Sequence, residues 1–377
     1  MRANKIVQKI VQPEISSMME WMKKDDRKWL GVGALVLVGL IGLAVYRGLF
    51  RYVLFDPAWN YKGMVVVPGD CSAGNPEIVE LPSGCLMMYT HGQTKESHPS
   101  ENNTYARSSC DGKTWKWEGL VLKNAGMPTA IRLPDGRIRL YFIRAGERGS
   151  KAVKGMMSAI SVDGLKFTQE PGYLFELAAD APRPDETNKF REYYPVPGEG
   201  NVEDIKDFAH LNVAKMDNGY RIYFDEGAMR ADPRKYGDKA WPLTRGRSIF
   251  SEDGLRFRLD PGVRIDVGQS PLTLLPRSSN PSVVKLKDGY HMFFFAGFSP
   301  WEDLTPWKRL AWSGTYEAVS RDGLNFTISN WPKFPGNDAA VIRRGDKLFA
   351  YPGRQQAARR ECSDVVMYER KLTAKEK

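Results

Sequence analysis

Short apolar runs alternate with polar turns along most of the chain, and the same turns recur. From residue 71 onward, an apolar stretch, a polar-glycine turn and an aromatic-rich run follow one another at Pro76 to Gly84, Pro128 to Gly136, Leu211 to Gly219 and Pro281 to Gly289. A looser fifth copy runs from Asn337 to Gly345. Strand-forming flanks around Ser-Gly, Asp-Gly or Asn-Gly read as β-hairpins, because such pairs absorb the positive φ of a tight turn. Behind the first four copies stands Ser-x-Asp-Gly-x-x-aromatic, at Ser109 to Trp115, Ser161 to Phe167, Ser251 to Phe257 and Ser320 to Phe326. Here Asp can bond the backbone around the turn, Gly relieves it, and the aromatic can fold back as an anchor, which makes a second hairpin. Two hairpins per repeat of roughly 50 residues form a four-stranded blade, and five starts predict an all-β, five-bladed propeller. The fifth repeat lacks the Ser-x-Asp-Gly turn and has only the run Val365 to Leu372, so a strand from Tyr61 to Val67 is expected to complete it and close the ring.

Ahead of the repeats the pattern changes. Trp29 to Tyr46 is apolar and uncharged, which predicts a transmembrane helix with interfacial aromatic ends. The expected organisation is residues 1–28 as a cytoplasmic tail, 29–50 as the span, 51–70 as a linker with the ring-closing strand, and 71–377 as the propeller. Ile15, Met18, Met19 and Met22 give the tail a short amphipathic segment. Lys23, Lys24, Arg27 and Lys28 outnumber Arg47 and Arg51 across the span, so the amino terminus is placed in the cytoplasm and the propeller in a periplasm or lumen. In that compartment Cys71, Cys85, Cys110 and Cys362 allow up to two disulfides in any of three pairings. They have no CxxC spacing, and His91, His98, His210 and His291 are scattered, so no metal or cofactor is expected. The net charge of +10 suits anionic headgroups or acidic proteins better than nucleic acid in an exported domain.

The repeated phrases resemble the Asp-box (BNR) repeats of sialidases. They are more similar to the five-bladed glycosidases of the arabinanase, β-xylosidase and invertase type, because Gly directly follows Asp. The resemblance covers roughly Cys71 to Leu372. It implies catalytic carboxylates at the tops of the innermost strands, one as base or nucleophile, one as acid and one tuning the pair. The residues just ahead of the five phrases are Asn75, Met127, His210, Asn280 and Gly336, none of them acidic. Asn75-Pro76 and Asn280-Pro281 stand where the family often has Asp-Pro, and asparagine cannot ionise. Glu77, Asp207, Asp225, Glu226 and Asp338 are nearby acids, read as solvated or ion-paired. A sialidase needs an arginine cluster, and nothing in the spacing selects three among Arg132, Arg245, Arg247 and Arg354. Trp301, Trp307 and Trp312 share one insertion and can stack on sugars or anchor a protein interface.

These features are read together as a membrane-anchored, exported, non-catalytic binding or scaffold subunit of a larger membrane assembly. Its catalytic set is empty and its binding face comprises Asn75, His210, Asn280, Trp301, Trp307 and Trp312. The alternatives are a glycoside hydrolase or sialidase-like enzyme acting on extracytoplasmic glycans, or a glycan-binding module.

Overall fold

The first innermost strand runs into its hairpin partner, and the pattern repeats four times around a ring. The computed structural model of the chain describes residues 37–39, 55–67, 71–93, 102–144, 155–176, 208–230, 242–266, 277–297, 314–356 and 359–377. It divides into Met1–Leu54 and Phe55–Lys377, and the propeller occupies the second unit. Of the expected transmembrane span only residues 37–39, which are helical, fall within the description. Among the described residues no helix is long and apolar enough to cross a membrane.

Blade 1 consists of β2 (Cys71–Glu80), β3 (Leu86–Gln93), β4 (Asn103–Ser109) and β5 (Lys116–Leu122), and blade 2 of β6 (Gly126–Arg132), β7 (Ile138–Arg144) and β8 (Gly155–Ser161) with the short outer strands β9 (Thr168–Gln169) and β10 (Phe175–Glu176). Blade 3 contains β11 (Phe208–Met216), β12 (Gly219–Arg230), β13 (Pro242–Ser251) and β14 (Arg258–Leu259), and blade 4 contains β15 (Arg277–Leu286), β16 (Gly289–Gly297), β17 (Gly314–Ser320) and β18 (Thr327–Ile328). Blade 5 joins both ends of the propeller. From the axis outward it is β19 (Asn337–Arg344), β20 (Lys347–Gln356), β21 (Arg359–Lys371) and β1 (Asn60–Val66). The strand that the sequence places at Tyr61 to Val67 thus pairs antiparallel with β21, from Asn60 opposite Glu369 to Val66 opposite Val365.

The apolar core lies between blades. Each of the five buried clusters draws its side chains from two neighbouring blades, as when Tyr223 and Phe250 of blade 3 meet Tyr290 and Phe294 of blade 4. The Ser-x-Asp-Gly turns lock these seams. Within each turn Ser Oγ donates to Asp Oδ1, and that carboxylate accepts two following backbone N–H groups, as at Ser251, Asp253, Leu255 and Arg256. Those N–H bonds hold the Asp253 carboxyl down at about 2. The Gly carbonyl then accepts a hydroxyl from the preceding blade: Tyr89 to Gly164 at 2.7 Å, Tyr141 to Gly254 at 2.9 Å, Tyr223 to Gly323 at 2.8 Å and Tyr351 to Gly112 at 3.1 Å.

The turn aromatic, expected to fold back as an anchor, meets the same tyrosine of the preceding blade edge to face, in the pairs Phe167–Tyr89, Phe257–Tyr141, Phe326–Tyr223 and Trp115–Tyr351, with centroids 5.7–5.9 Å apart. Blade 5 has no such turn because its outer strand comes from the other end of the propeller. The matching position in blade 4 is accordingly Phe293, with no hydroxyl to satisfy, and Trp59, just ahead of β1, packs on it at 5.6 Å. Tyr223→Phe is therefore expected to cost about 1 kcal/mol for one lost hydrogen bond. Phe293→Tyr is expected to destabilise as much or more by burying an unmatched hydroxyl. Urea unfolding midpoints check both, and a stabilising Phe293→Tyr would contradict the assignment.

Cys85 and Cys110, left open among three pairings in the sequence, form a disulfide with the sulfurs 2.02 Å apart. It ties the turn between β2 and β3 to the Ser109 to Trp115 turn that follows β4.

Candidate functional site

Each innermost strand carries a bulge at its start. Pairing skips between Gly74 and Glu77, Gly126 and Thr129, Ala209 and Asn212, Ser279 and Ser282, and Asn337 and Ala340. In each gap one residue adopts the left-handed region: Asn75 (φ 43°), Met127 (50°), His210 (49°), Asn280 (58°) and Asp338 (52°). Asparagine, aspartate and histidine accept this conformation best, whereas methionine is strained there. Backbone strain repeated at one location marks a place where side-chain direction matters. All five residues line a single axial pocket, together with Pro76, Glu77, Pro128, Leu211, Pro281 and Ala339. It opens at the strand ends opposite the tight hairpin turns.

Four of these axial positions coincide with the sequence expectation, and the fifth does not. Gly336 stands two residues short of the true position, Asp338. The cause is the hairpin of blade 5, where Arg344 pairs with Lys347 and Gly345 is inside the turn, whereas Gly219 is already the first residue of its strand in blade 3. Counting back from the glycine therefore misses by two. The axial ring does contain an acid.

Other carboxylates approach the same pocket. Asp225, 1% exposed, sits midway along β12. Its Oδ2 meets His210 Nδ1 at 2.6 Å, and its Oδ1 accepts the Asn280 backbone N–H at 2.9 Å. One carboxylate thus orients the axial histidine of blade 3 and the axial asparagine of blade 4. Glu77 lies one layer deeper. Both its oxygens accept from Asn212 Nδ2, at 3.2 and 3.3 Å, and burial pushes its carboxyl up to about 8. The equivalent residues of blades 2, 3 and 4 stitch the ring: Val213 N–H donates to Thr129 Oγ1, Val283 N–H to Asn212 Oδ1 and Val341 N–H to Ser282 Oγ. Asp338 Oδ2 accepts from the Asn337 amide at 3.2 Å. Asn75 Nδ2 and Asn280 Oδ1 are buried with no hydrogen-bond partner among the described residues, and such atoms at a pocket call for a ligand or water.

The remaining candidates are placed elsewhere. Glu226, 2% exposed, is clamped by Arg245 at 2.9 Å and Arg247 at 3.1 Å. Arg132 donates to the Leu81 carbonyl, and the Arg354 side chain lies outside the description, so the described arginines form no carboxylate-binding triad. Trp301, Trp307, Trp312, His98 and Asp207 also lie outside the described residues. His91, bonded to Asn102 through Nδ1, is pushed by burial to about 4 and stays neutral.

One further cluster, His291, Glu317 and Glu376, gathers possible metal-ligand atoms within 4.8 Å of one another. Arg370 grips Glu376 with both terminal nitrogens at 2.9 and 2.7 Å, and Lys333 stands 3.4 Å from Glu317. Burial opposes charge on His291, yet its bonds to Glu317 and Asp288 outweigh burial and raise its pKa. The cations that these acids need are supplied by the protein. We read the cluster as the polar closure of the seam between blades 4 and 5.

No protein-family profile matches the sequence, and no curated protein does. Solved structures do match in fold. A family 117 glycoside hydrolase of the marine bacterium Zobellia galactanivorans superposes with a TM-score of 0.55 at 14% identity, covering 85% of this chain and 92% of that one. A thermostable family-43 glycoside hydrolase gives 0.55 at 14%, covering 83% and 93%. The GH32 β-fructofuranosidase BmSUC1 of Bombyx mori gives 0.54 at 12%, covering 88% and 68%. The expectation of a non-catalytic scaffold rested on an acid-free axis. It is overturned by Asp338 on that axis and by a fold shared with glycoside hydrolases. The chain is a five-bladed β-propeller, a fold that these glycoside hydrolases share.

Proposed function

We propose that the chain cleaves glycosidic bonds in the axial pocket, with Asp338 as carboxylate base or nucleophile and His210 as proton donor. The observation that carries this reading is one ring that holds both a carboxylate on β19 and an imidazole bonded at 2.6 Å to buried Asp225. Blade 4 separates their blades, so the two groups approach the axis from different directions. Glycosidic cleavage asks for this division: the leaving oxygen takes a proton while a carboxylate, or water activated by one, meets the anomeric carbon. Asp225 fixes the tautomer, so proton exchange runs through Nε2, and it stabilises the charged ring. Asn75 Nδ2 and Asn280 Oδ1 supply a donor and an acceptor for sugar hydroxyls. In the same reading the stretch Trp29 to Tyr46 tethers the propeller outside the cytoplasm, where a Cys85–Cys110 bond persists.

The test is turnover of a panel of aryl pentosides and hexosides by the wild type, Asp338→Asn and His210→Ala. Asparagine tolerates a left-handed backbone as well as aspartate does, so Asp338→Asn should keep the wild-type melting temperature. Its kcat/KM should fall at least about 100-fold. Wild-type inactivity across the panel, or full activity of Asp338→Asn, would sink the reading.

A further inference from the structure

Glu77 is a pocket carboxyl that the scheme above does not employ. It follows axial Asn75 by two residues on β2 and lines the pocket one layer below the ring. Its equivalents Thr129, Asn212 and Ser282 each accept a backbone N–H of the next blade, but among the described residues no backbone N–H reaches Glu77. Its partners are the Asn212 amide and the Thr129 hydroxyl. Both are neutral.

Among the described residues, the cation that the surrounding elements offer is a protonated His210, and it is already paired with Asp225. β6 brings Met127 and Thr129, and β15 brings Asn280 and Ser282. β19 brings Asp338, and β12 brings Asp225, which is engaged with His210 of β11. His91 on β3 is neutral because burial lowers it to about 4. A desolvated carboxyl among amides, hydroxyls and other carboxylates favours its protonated form. In that form it can donate, which a carboxylate cannot.

Building on the glycosidase reading, we propose that Glu77 acts as a neutral carboxylic acid that donates a hydrogen bond to the glycosyl unit in the axial pocket, so that its ionisation weakens the site in alkali, in addition to the loss that His210 deprotonation brings. Glu77→Gln keeps a donor but cannot ionise, which makes it the informative variant.

Three measurements test this. In protein labelled with 13C at the glutamate carboxyls, the resonance missing from Glu77→Gln should titrate near pH 8, the value to which burial pushes it. A midpoint in the ordinary glutamate range overturns the proposal. Stability supplies a second check. A folded-state pKa above the unfolded 4.5 means that the folded protein binds the proton more tightly, so the wild type loses stability as pH rises from 4.5 to about 8. The melting temperature of Glu77→Gln relative to wild type should therefore climb across that window, and a flat difference counts against the proposal. Third, on whichever aryl glycoside is turned over, kcat/KM of the wild type relative to Glu77→Gln should fall as pH passes the NMR midpoint, a ratio in which the His210 titration common to both cancels. A ratio that stays flat across the midpoint overturns the donor role even if the midpoint is near 8. Absence of any turnover removes the glycosidase reading and the donor role with it, while the first two measurements still report the protonation state.

Discussion

A chain shortened to begin at residue 70 is expected to lose cooperative unfolding altogether, whereas one beginning at residue 54 should melt in a single transition. The difference is β1 and the residue just ahead of it. Without β1, the outermost hydrogen-bonding edge of β21 from Val365 to Glu369 has no partner, and an unpaired edge invites association with other chains. Trp59, 6% exposed, would leave Phe293, Phe334 and the Arg370 guanidinium, which it contacts at 5.6, 4.8 and 5.4 Å. Truncating a buried tryptophan alone costs about 3–5 kcal/mol, a large share of the 5–15 kcal/mol that ordinarily holds a domain together. Light scattering and differential scanning calorimetry of the two chains decide the matter. An undiminished transition in the shorter one would show that β1 is an ornament on blade 5.

Arg370→Leu is expected to destabilise the propeller by about 3–5 kcal/mol, because it leaves the Glu376 carboxylate buried without its cation and Glu317 with only Lys333 and His291. Glu376 and Glu317 are 5% and 8% exposed. Burial would raise the Glu376 carboxyl, but the bonds from Arg370 and Thr373 hold it at about 2. Burial likewise works against Glu317, which His291, Lys333 and Arg370 keep low. These depressed values contribute stability that is present above the unfolded carboxylate range and lost as pH falls through the folded values. The deficit of Arg370→Leu should accordingly narrow in acid, where the stranded carboxyls take up protons. A double variant, Arg370→Leu with Glu376→Leu, should recover part of the loss, since removing both partners strands fewer charges. Chemical denaturation at pH 7 and pH 4 measures both effects. A deficit that grows in acid would contradict the role given to Arg370.

The architecture was legible because the turns repeat. Ser, Asp, Gly and the aromatic recur at fixed offsets since each does a separate job: bonding the turn, capping it, relieving it, and filling the seam with the preceding blade. The absence of that motif in the last repeat correctly called for a strand from the other end of the propeller. The axial ring was legible where a proline or leucine directly follows the bulge, as at Asn75, Met127, His210 and Asn280. It failed at Asp338, where the reference glycine stands inside the two-residue turn instead of just after it.

The His210–Asp225 bond was beyond the pattern because it joins side chains fifteen positions apart across an irregular register. The one available signal was the pair Asp225-Glu226 directly after the run Tyr220 to Phe224, an odd place for two acids. Glu77 was hidden for a similar reason. It occupies an inward position of a strand, where its neighbours in the other blades are small or neutral, and only the ring assembled from all five blades shows that it lacks a cation. Nothing in the sequence pattern joined Glu376 to its partner Arg370.

Joining the first strand of the propeller to its last also sets a clock on synthesis. Roughly 300 residues separate β1 from the end of β21, and at 5–20 residues per second a ribosome needs about 15–60 s to deliver them. Until then β1 has no sheet to enter, and the flanks of blades 1 and 4 that will face blade 5 have nothing to cover them. Translation speed, rather than the strength of the finished ring, governs how long those apolar flanks are available to other chains. Slowing the ribosome over the last blade should therefore lower the soluble yield of a protein whose folded stability is unchanged.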